Sequence, residues 1–149
     1  MADAKKGLVQ KLREADIFIG YSPIGDEPDV SDFFTQNGIS KNGLSLLPSK
    51  DTDPFEVASS LVAHNTGKRV CVFVPGQAFD ARGTRHGRGG GWYDRFLAAV
   101  PEEWIRTGVA SSREMSEEIL ERKSWDEPVD FIAVRNGVWK IVQTNARVL

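Results

Sequence analysis

The sequence predicts an α/β fold: a mostly parallel sheet flanked by helices, in one domain over residues 1–149. Three observations predict it. The chain is 149 residues long, the size of one domain. Apolar runs of strand length alternate with stretches of helical periodicity, the pattern of a sheet covered by helices. Val70-Cys-Val-Phe-Val74 is apolar on both faces and stops at Pro75-Gly76, which suits the centre of a covered parallel sheet.

The elements follow in order. Leu8, Val9 and Leu12 lie at helical spacing and predict a short helix over Lys5–Ala15. Asp16–Tyr21 reads as a buried strand ending at Ser22-Pro23. Val30, Phe33 and Phe34 share one face of a helix over Asp29–Gln36, closed by Asn37-Gly38. Ile39–Leu47 is expected to be extended, with a break at Asn42-Gly43. Asp53-Pro54 opens a helix as cap and first-turn proline, with Phe55, Ala58, Leu61 and Val62 facing in. After the Val70–Val74 strand come a helix over Gly91–Val100 and a strand over Trp104–Ser111. A helix is predicted over Ser112–Lys123, with Met115, Ile119 and Leu120 inward. Phe131–Val134 and Val138–Val142 flank Asn136-Gly137, a strong hairpin signal. Trp104, Trp125 and Trp139 read as core or strand residues.

Composition narrows the function classes. Nineteen Lys and Arg against 21 Asp and Glu give a net charge of −2, which excludes a generally basic nucleic-acid coat or an acidic tail protein. The lone Cys71 excludes an intrachain disulfide and any CxxC motif, and reads as a small buried hydrophobe. The first residues have no apolar signal core, and no apolar run reaches the length of a membrane helix. The expected setting is the cytoplasm, with neither membrane nor nucleic acid as partner and a monomer or homodimer as the working unit.

The chemistry-bearing stretch runs from Pro75 to Arg95. Gly83, Gly87, Gly89, Gly90 and Gly91 lie between the central strand and a helix, with Arg82, Arg85 and Arg88 among them. Glycine lets backbone N–H groups approach a ligand, a helix N-terminus attracts anions, and guanidinium groups match phosphate oxygens. This predicts a phosphate loop at the C-terminal end of a strand. It is neither common type. GxGxxG fails because Trp92 stands where the third glycine belongs, and Gly67-Lys68 is followed by Arg69 rather than Ser or Thr. Four arginines and one aspartate over Arg82–Arg95, with Trp92 and Tyr93, leave RNA binding as an alternative.

Pro75-Gly76, Ala78-Phe79-Asp80 and Arg85-His86-Gly87-Arg88-Gly89-Gly90-Gly91-Trp92-Tyr93-Asp94 resemble the signature of the 5-formyltetrahydrofolate cyclo-ligases, also called methenyltetrahydrofolate synthetases. That pattern is Arg-Leu-Gly-x-Gly-x-Gly-Tyr-Tyr-Asp after a strand ending in Pro-Gly. His86 replaces Leu and Trp92 replaces the first Tyr; every glycine is kept. Asp26-Glu27-Pro28-Asp29 resembles the family's acidic loop. Trp125-Asp126-Glu127-Pro128-Val129-Asp130 resembles its His/Asn-Asp-x-x-Val-Asp segment, with Trp125 in place of the usual polar residue.

The resemblance implies a cyclo-ligase-like α/β fold and a reaction: ATP- and Mg²⁺-dependent conversion of 5-formyltetrahydrofolate to 5,10-methenyltetrahydrofolate, releasing ADP and phosphate. It implies that Arg85, Gly87, Arg88, Gly89, Gly90, Gly91, Trp92 and Tyr93 bind ATP. It further implies that Arg88 and Tyr93 act in catalysis, that Glu27 and Trp92 border the reduced folate, and that Asp94 and Asp126 hold Mg²⁺. Taken alone, Asp94 and Asp126 also suit caps, Glu27 suits a solvated loop, and Asp130 suits a turn anchor. The regions corresponding to the family's N-terminal helices and to Ile39–Asn65 are shorter here. Lys5, Lys6, Lys11 and Arg13 are the only cations placed to replace the family's N-terminal Lys/Arg pair. A minimal enzyme, a relative acting on another substrate, and an ATP- or folate-binding protein without turnover all remain open at this point.

Overall fold

The computed structural model describes residues 2–147, and side chains over residues 6–147. It has three layers. The elements are α1 (Ala2–Glu14), β1 (Ile17–Gly20), α2 (Val30–Gln36), β2 (Leu44–Leu46), α3 (Pro54–His64), β3 (Val70–Val74), β4 (Ala78–Phe79), β5 (Arg85–His86), α4 (Trp92–Ala99), β6 (Ile105–Ser111), β7 (Phe131–Asn136) and β8 (Val138–Gln143). The main sheet runs β2-β1-β3-β6-β7-β8 and is parallel except for the β7–β8 hairpin. β3 is interior, as its apolar run predicts, and all five of its residues are buried.

The pleat of β3 divides the core. Cys71 and Phe73 point to one side, where Leu8 and Leu12 of α1 and Phe33 and Phe34 of α2 pack. Val70, Val72 and Val74 point to the other, against Trp92, Phe96 and Leu97 of α4 and Ala58 of α3. Side chains of alternate strand residues face opposite ways, so one five-residue run serves both layers. Asp29 caps α2 by accepting the Ser31 N–H at 2.8 Å, and Asp53 caps α3 through the Phe55 N–H at 2.9 Å. Gly137, with φ 75°, forms the β7–β8 turn.

Three expectations are corrected, one of them Phe55, which was expected to face in from α3 and is 52% exposed. Residues 112–123 form a single 3-10 turn, Ser112–Glu114, and then an extended path, leaving Ile119 72% exposed. Long-range partners replace the helical ones. The Ser116 N–H donates to the Phe79 carbonyl at 2.7 Å, and the Leu120 N–H donates to Asp80 Oδ2 at 2.9 Å. Backbone groups satisfied in this way gain nothing from a helix. Trp125 lies on the same irregular segment and is 65% exposed, whereas Trp104 and Trp139 are buried.

The short β4–β5 hairpin was not expected. It is held by Phe79, fully buried against Gly76 and Gly108; a Cβ on Gly108 would lie 2.4 Å from the Phe79 ring. The ring therefore sets the position of the chain as it leaves β3. Phe79→Ala should cost about 3–5 kcal/mol of stability by opening a cavity there, and Phe79→Leu clearly less. Urea unfolding midpoints check both; equal, small shifts would refute the wedge role.

Candidate active site

The C-terminal ends of β1, β2, β3 and β6 open toward one edge of the sheet, where open α/β folds place ligands. Four loops meet there: residues 21–29, 47–53, 75–91 and 112–130.

Arg85 is the inner anchor. Only 4% of it is exposed, and Nη1 donates to the Pro75 carbonyl at 2.9 Å. Its guanidinium lies 5.2 Å from the Tyr93 ring centroid, and Nη2 is 3.9 Å from Asp94 Oδ1. Its Nε has no hydrogen-bond partner. Above it the loop turns into α4. Gly89 (φ 98°) and Gly91 (φ 68°) take left-handed conformations that disfavour side chains, and Gly91 caps α4 without a side-chain bond. The first N–H groups of α4 are thus left for a ligand.

The loop has two sides. On the outer side, a cavity of about 350 Å³ is lined by Arg85, Gly87, Gly89, Asp94, Lys123 and Asp126. Asp94 lies in the first turn of α4, half-buried, and its Oδ1 accepts the Glu127 N–H at 3.1 Å. Asp126 Oδ2 accepts the Lys123 N–H at 2.8 Å. Burial pushes the Asp94 carboxyl above the ordinary carboxylate range, and neighbouring Asp126 adds to this against the pull of the Glu127 N–H and Arg85. The two neighbouring carboxylates supply oxygen donors of the kind a hard divalent cation takes. Among the described residues no third acidic, His or Cys ligand joins them, so such an ion would take its other ligands from substrate and water.

On the inner side, Glu27, Lys50, Arg85, Arg88 and Tyr93 surround Gly87. Tyr21 donates its hydroxyl to the Pro28 carbonyl at 2.6 Å and so pins the acidic loop. Glu27 Oε1 accepts the Ile24 N–H at 2.8 Å, and Oε2 lies 3.8 Å from Arg88. The Glu27 side chain is 8% exposed, so it is not a solvated surface acid. Tyr93 sits between two cations, with Lys50 Nζ also 5.2 Å from its ring centroid. Burial pushes its hydroxyl up to about 12, so it is a neutral donor rather than a base. Trp92 is buried; its indole stacks on Phe96 and donates to the Thr52 carbonyl at 2.9 Å. It reaches the inner cavity, of about 310 Å³, as part of the wall.

Lys50 was missed in the sequence. It follows Pro48-Ser49 in the turn before α3, a context that reads as an ordinary solvated lysine. Lys11 and Arg13 are instead in the last turn of α1, just before β1 begins, at the opposite edge of the sheet from the loop. Lys6 lines none of the cavities described above, and the Lys5 side chain lies outside the described residues. The arginines near the loop have internal partners: Arg82 donates to the Leu120 carbonyl at 3.2 Å and Arg95 to the Gly90 carbonyl at 3.1 Å. Asp130 is a structural anchor, gripped by Arg147 through two bonds of 2.8 Å.

Residues 36–135 match the 5-formyltetrahydrofolate cyclo-ligase family. The chain belongs to that family. A 5-formyltetrahydrofolate cyclo-ligase of Mycoplasma genitalium is 27% identical over 110 residues, covering 74% of this chain. The alignment takes in 54% of that relative, so the chain spans about half the length of the curated protein it matches. The NMR structure of Aquifex aeolicus 5,10-methenyltetrahydrofolate synthetase superposes with a TM-score of 0.59 at 22% identity, over 100% of this chain and 88% of that one. A 5,10-methenyltetrahydrofolate synthetase from Mycoplasma pneumoniae gives 0.52 at 19% identity, over 95% and 82%. At these identities the two structures establish the cyclo-ligase-like α/β fold. The family match covers the glycine loop, Asp94 and Asp126, while Glu27 lies upstream of it.

The state of Asp94 can be read from stability. A carboxyl whose folded pKa is raised binds its proton more tightly in the folded than in the unfolded chain. Stability therefore falls as pH rises from the unfolded toward the raised folded value, and stays lower above it. In the metal-free protein, Asp94→Asn should gain melting temperature relative to wild type as pH goes from 4 to 7. A difference between the two that is constant with pH would contradict the raised pKa.

Proposed function

We propose that this cyclo-ligase family member converts 5-formyltetrahydrofolate and ATP to 5,10-methenyltetrahydrofolate, ADP and phosphate, with Mg²⁺. The observation that carries the reading is the charge around Gly87. Lys50, Arg85 and Arg88 converge there against the single carboxylate of Glu27, on the side of the loop away from Asp126. Burial, opposed by Glu27 and reinforced by Arg85 and Arg88, holds the Lys50 ammonium below its ordinary pKa. A polyanion would relieve that arrangement.

In the reaction, the N5-formyl oxygen attacks the γ-phosphorus and ADP leaves. N10 then attacks the activated formyl carbon, N10 loses its proton, and phosphate departs with the former formyl oxygen. Catalysis of the phosphoryl step rests on positioning and charge neutralisation. Asp94 and Asp126 would hold Mg²⁺, which would supply part of that neutralisation. The chain's own groups supply the rest. Arg85 and the free N–H groups at the start of α4 bind phosphate oxygens. Lys50 and Arg88 face the transferring group from the folate side. The neutral Tyr93 hydroxyl donates a hydrogen bond rather than removing a proton, and Glu27 orients Arg88 while bordering the folate.

The first test is turnover: purified protein with 5-formyltetrahydrofolate, Mg²⁺ and ATP, followed by the absorbance of methenyltetrahydrofolate. ATP-dependent product that disappears in Asp94→Ala is expected. No product alongside calorimetric ATP binding would mean a retained phosphate site with another use. Arg88→Ala and Asp94→Ala should each weaken ATP binding, and unchanged affinity in both would remove the phosphate assignment. Lys50→Met should lower kcat/KM about 10- to 100-fold, the scale of one lost charge-assisted hydrogen bond. Full activity in that variant would exclude Lys50 from the reaction.

A further inference from the structure

A third cavity, about 540 Å³, lies beside the outer face of the glycine loop and falls in the size range of small-molecule sites, about 300–1,000 Å³. It shares Gly89, Gly91, Asp94 and Trp125 with the outer cavity, so the two adjoin along these residues. Its rim carries two unusually exposed aromatics, Phe55 at 52% and Trp125 at 65%. The other three tryptophans are at most 5% exposed. Trp125 is next to Asp126, in the turn that follows residues 112–123, and Lys123 Nζ lies 5.3 Å from its ring centroid. These exposed aromatic faces are within reach of a flat ligand whose phosphates sit at the loop.

We propose that Trp125 is the stacking platform for the purine base of the nucleoside triphosphate, with Phe55 as the second apolar wall of that cleft. The proposal rests on the phosphate reading of the loop above. Stacking on an aromatic ring is tolerant of base identity, since every base has a π face, so it selects a nucleoside over bare polyphosphate rather than one purine over another. Its strength by alanine substitution corresponds to about a 5- to 150-fold change in affinity.

The intact protein can be tested with ATP, GTP and inorganic tripolyphosphate, each with Mg²⁺, using calorimetry and acrylamide quenching of tryptophan fluorescence. Trp125 dominates quenching because its three counterparts are buried. ATP and GTP should both shield it, and tripolyphosphate should not. Trp125→Ala should weaken ATP and GTP at least fivefold and leave tripolyphosphate unchanged, while Trp125→Phe should restore most of the loss. ATP binding with Trp125 still fully quenchable, or equal losses for ATP and tripolyphosphate in Trp125→Ala, would overturn the platform while leaving the phosphate site standing. Failure of wild type to bind both ATP and tripolyphosphate would overturn the phosphate reading and the platform with it.

Discussion

Arg85 leaves β5 and runs beneath the glycine loop, a cation with 4% exposure in the interior of a small protein. Burying a guanidinium is costly unless its charge and its donors are met. Here the Pro75 carbonyl, the face of Tyr93 and the edge of Asp94 meet most of it. The same side chain dictates its neighbours. A Cβ on Gly76 would lie 2.9 Å from Arg85 Cγ, and one on Gly87 would lie 2.9 Å from Nη1. Gly76 is thus crowded by Arg85 and, at the same 2.9 Å, by the Phe79 ring, while Gly87 lies against the guanidinium end of Arg85. Removing the charge would leave Asp94 and Asp126 facing each other without a cation between their environment and the core.

That constraint also explains why the loop works from both sides. Arg85 and Gly87 line the outer cavity with its two carboxylates and the inner cavity with its cations and Tyr93. The loop is a thin stretch of backbone with two carboxylates on one side and cations with Tyr93 on the other, pinned from below by a buried guanidinium. The rigidity comes from β3 and α4, both embedded in the core, rather than from the loop itself.

Most of the architecture was legible because it rests on local signals. The apolar run of β3, the Asp caps of α2 and α3 and the Asn136-Gly137 turn each specify their element with residues close in sequence. The loop, Asp94 and Asp126 were legible through a long motif. The failures lie where distant groups decide. Asp80 is the clearest case: burial opposes its ionisation, but N–H groups of Leu120, Thr84 and Arg82, with the Arg82 charge, outweigh burial and hold its carboxyl below the ordinary range. One of those donors is 40 residues away, and with the Ser116 bond to Phe79 it draws residues 112–123 out of the helix their periodicity suggests. No pattern within that segment encodes the competition. Trp125 is misread for the same reason, since its exposure follows from the path of that segment.

Lys50 shows how a site can recruit a cation that motif reasoning assigns elsewhere. Two of the α1 cations that sequence offered, Lys11 and Arg13, lie in the last turn of that helix, at the far end of the strands. Helix and strand geometry forces this: α1 ends two residues before β1 starts, so its last turn must lie at the strand's N-terminal end, while the loop lies past the C-terminal ends. The edge strand β2 has the opposite arrangement. It is parallel to β1 and delivers its following turn, Leu47–Asp53, to the loop side. Any cation on that turn reaches the glycine loop by topology alone, and Lys50 is the one present. Strand direction, rather than a motif, thus brings Lys50 beside Arg85 and Arg88.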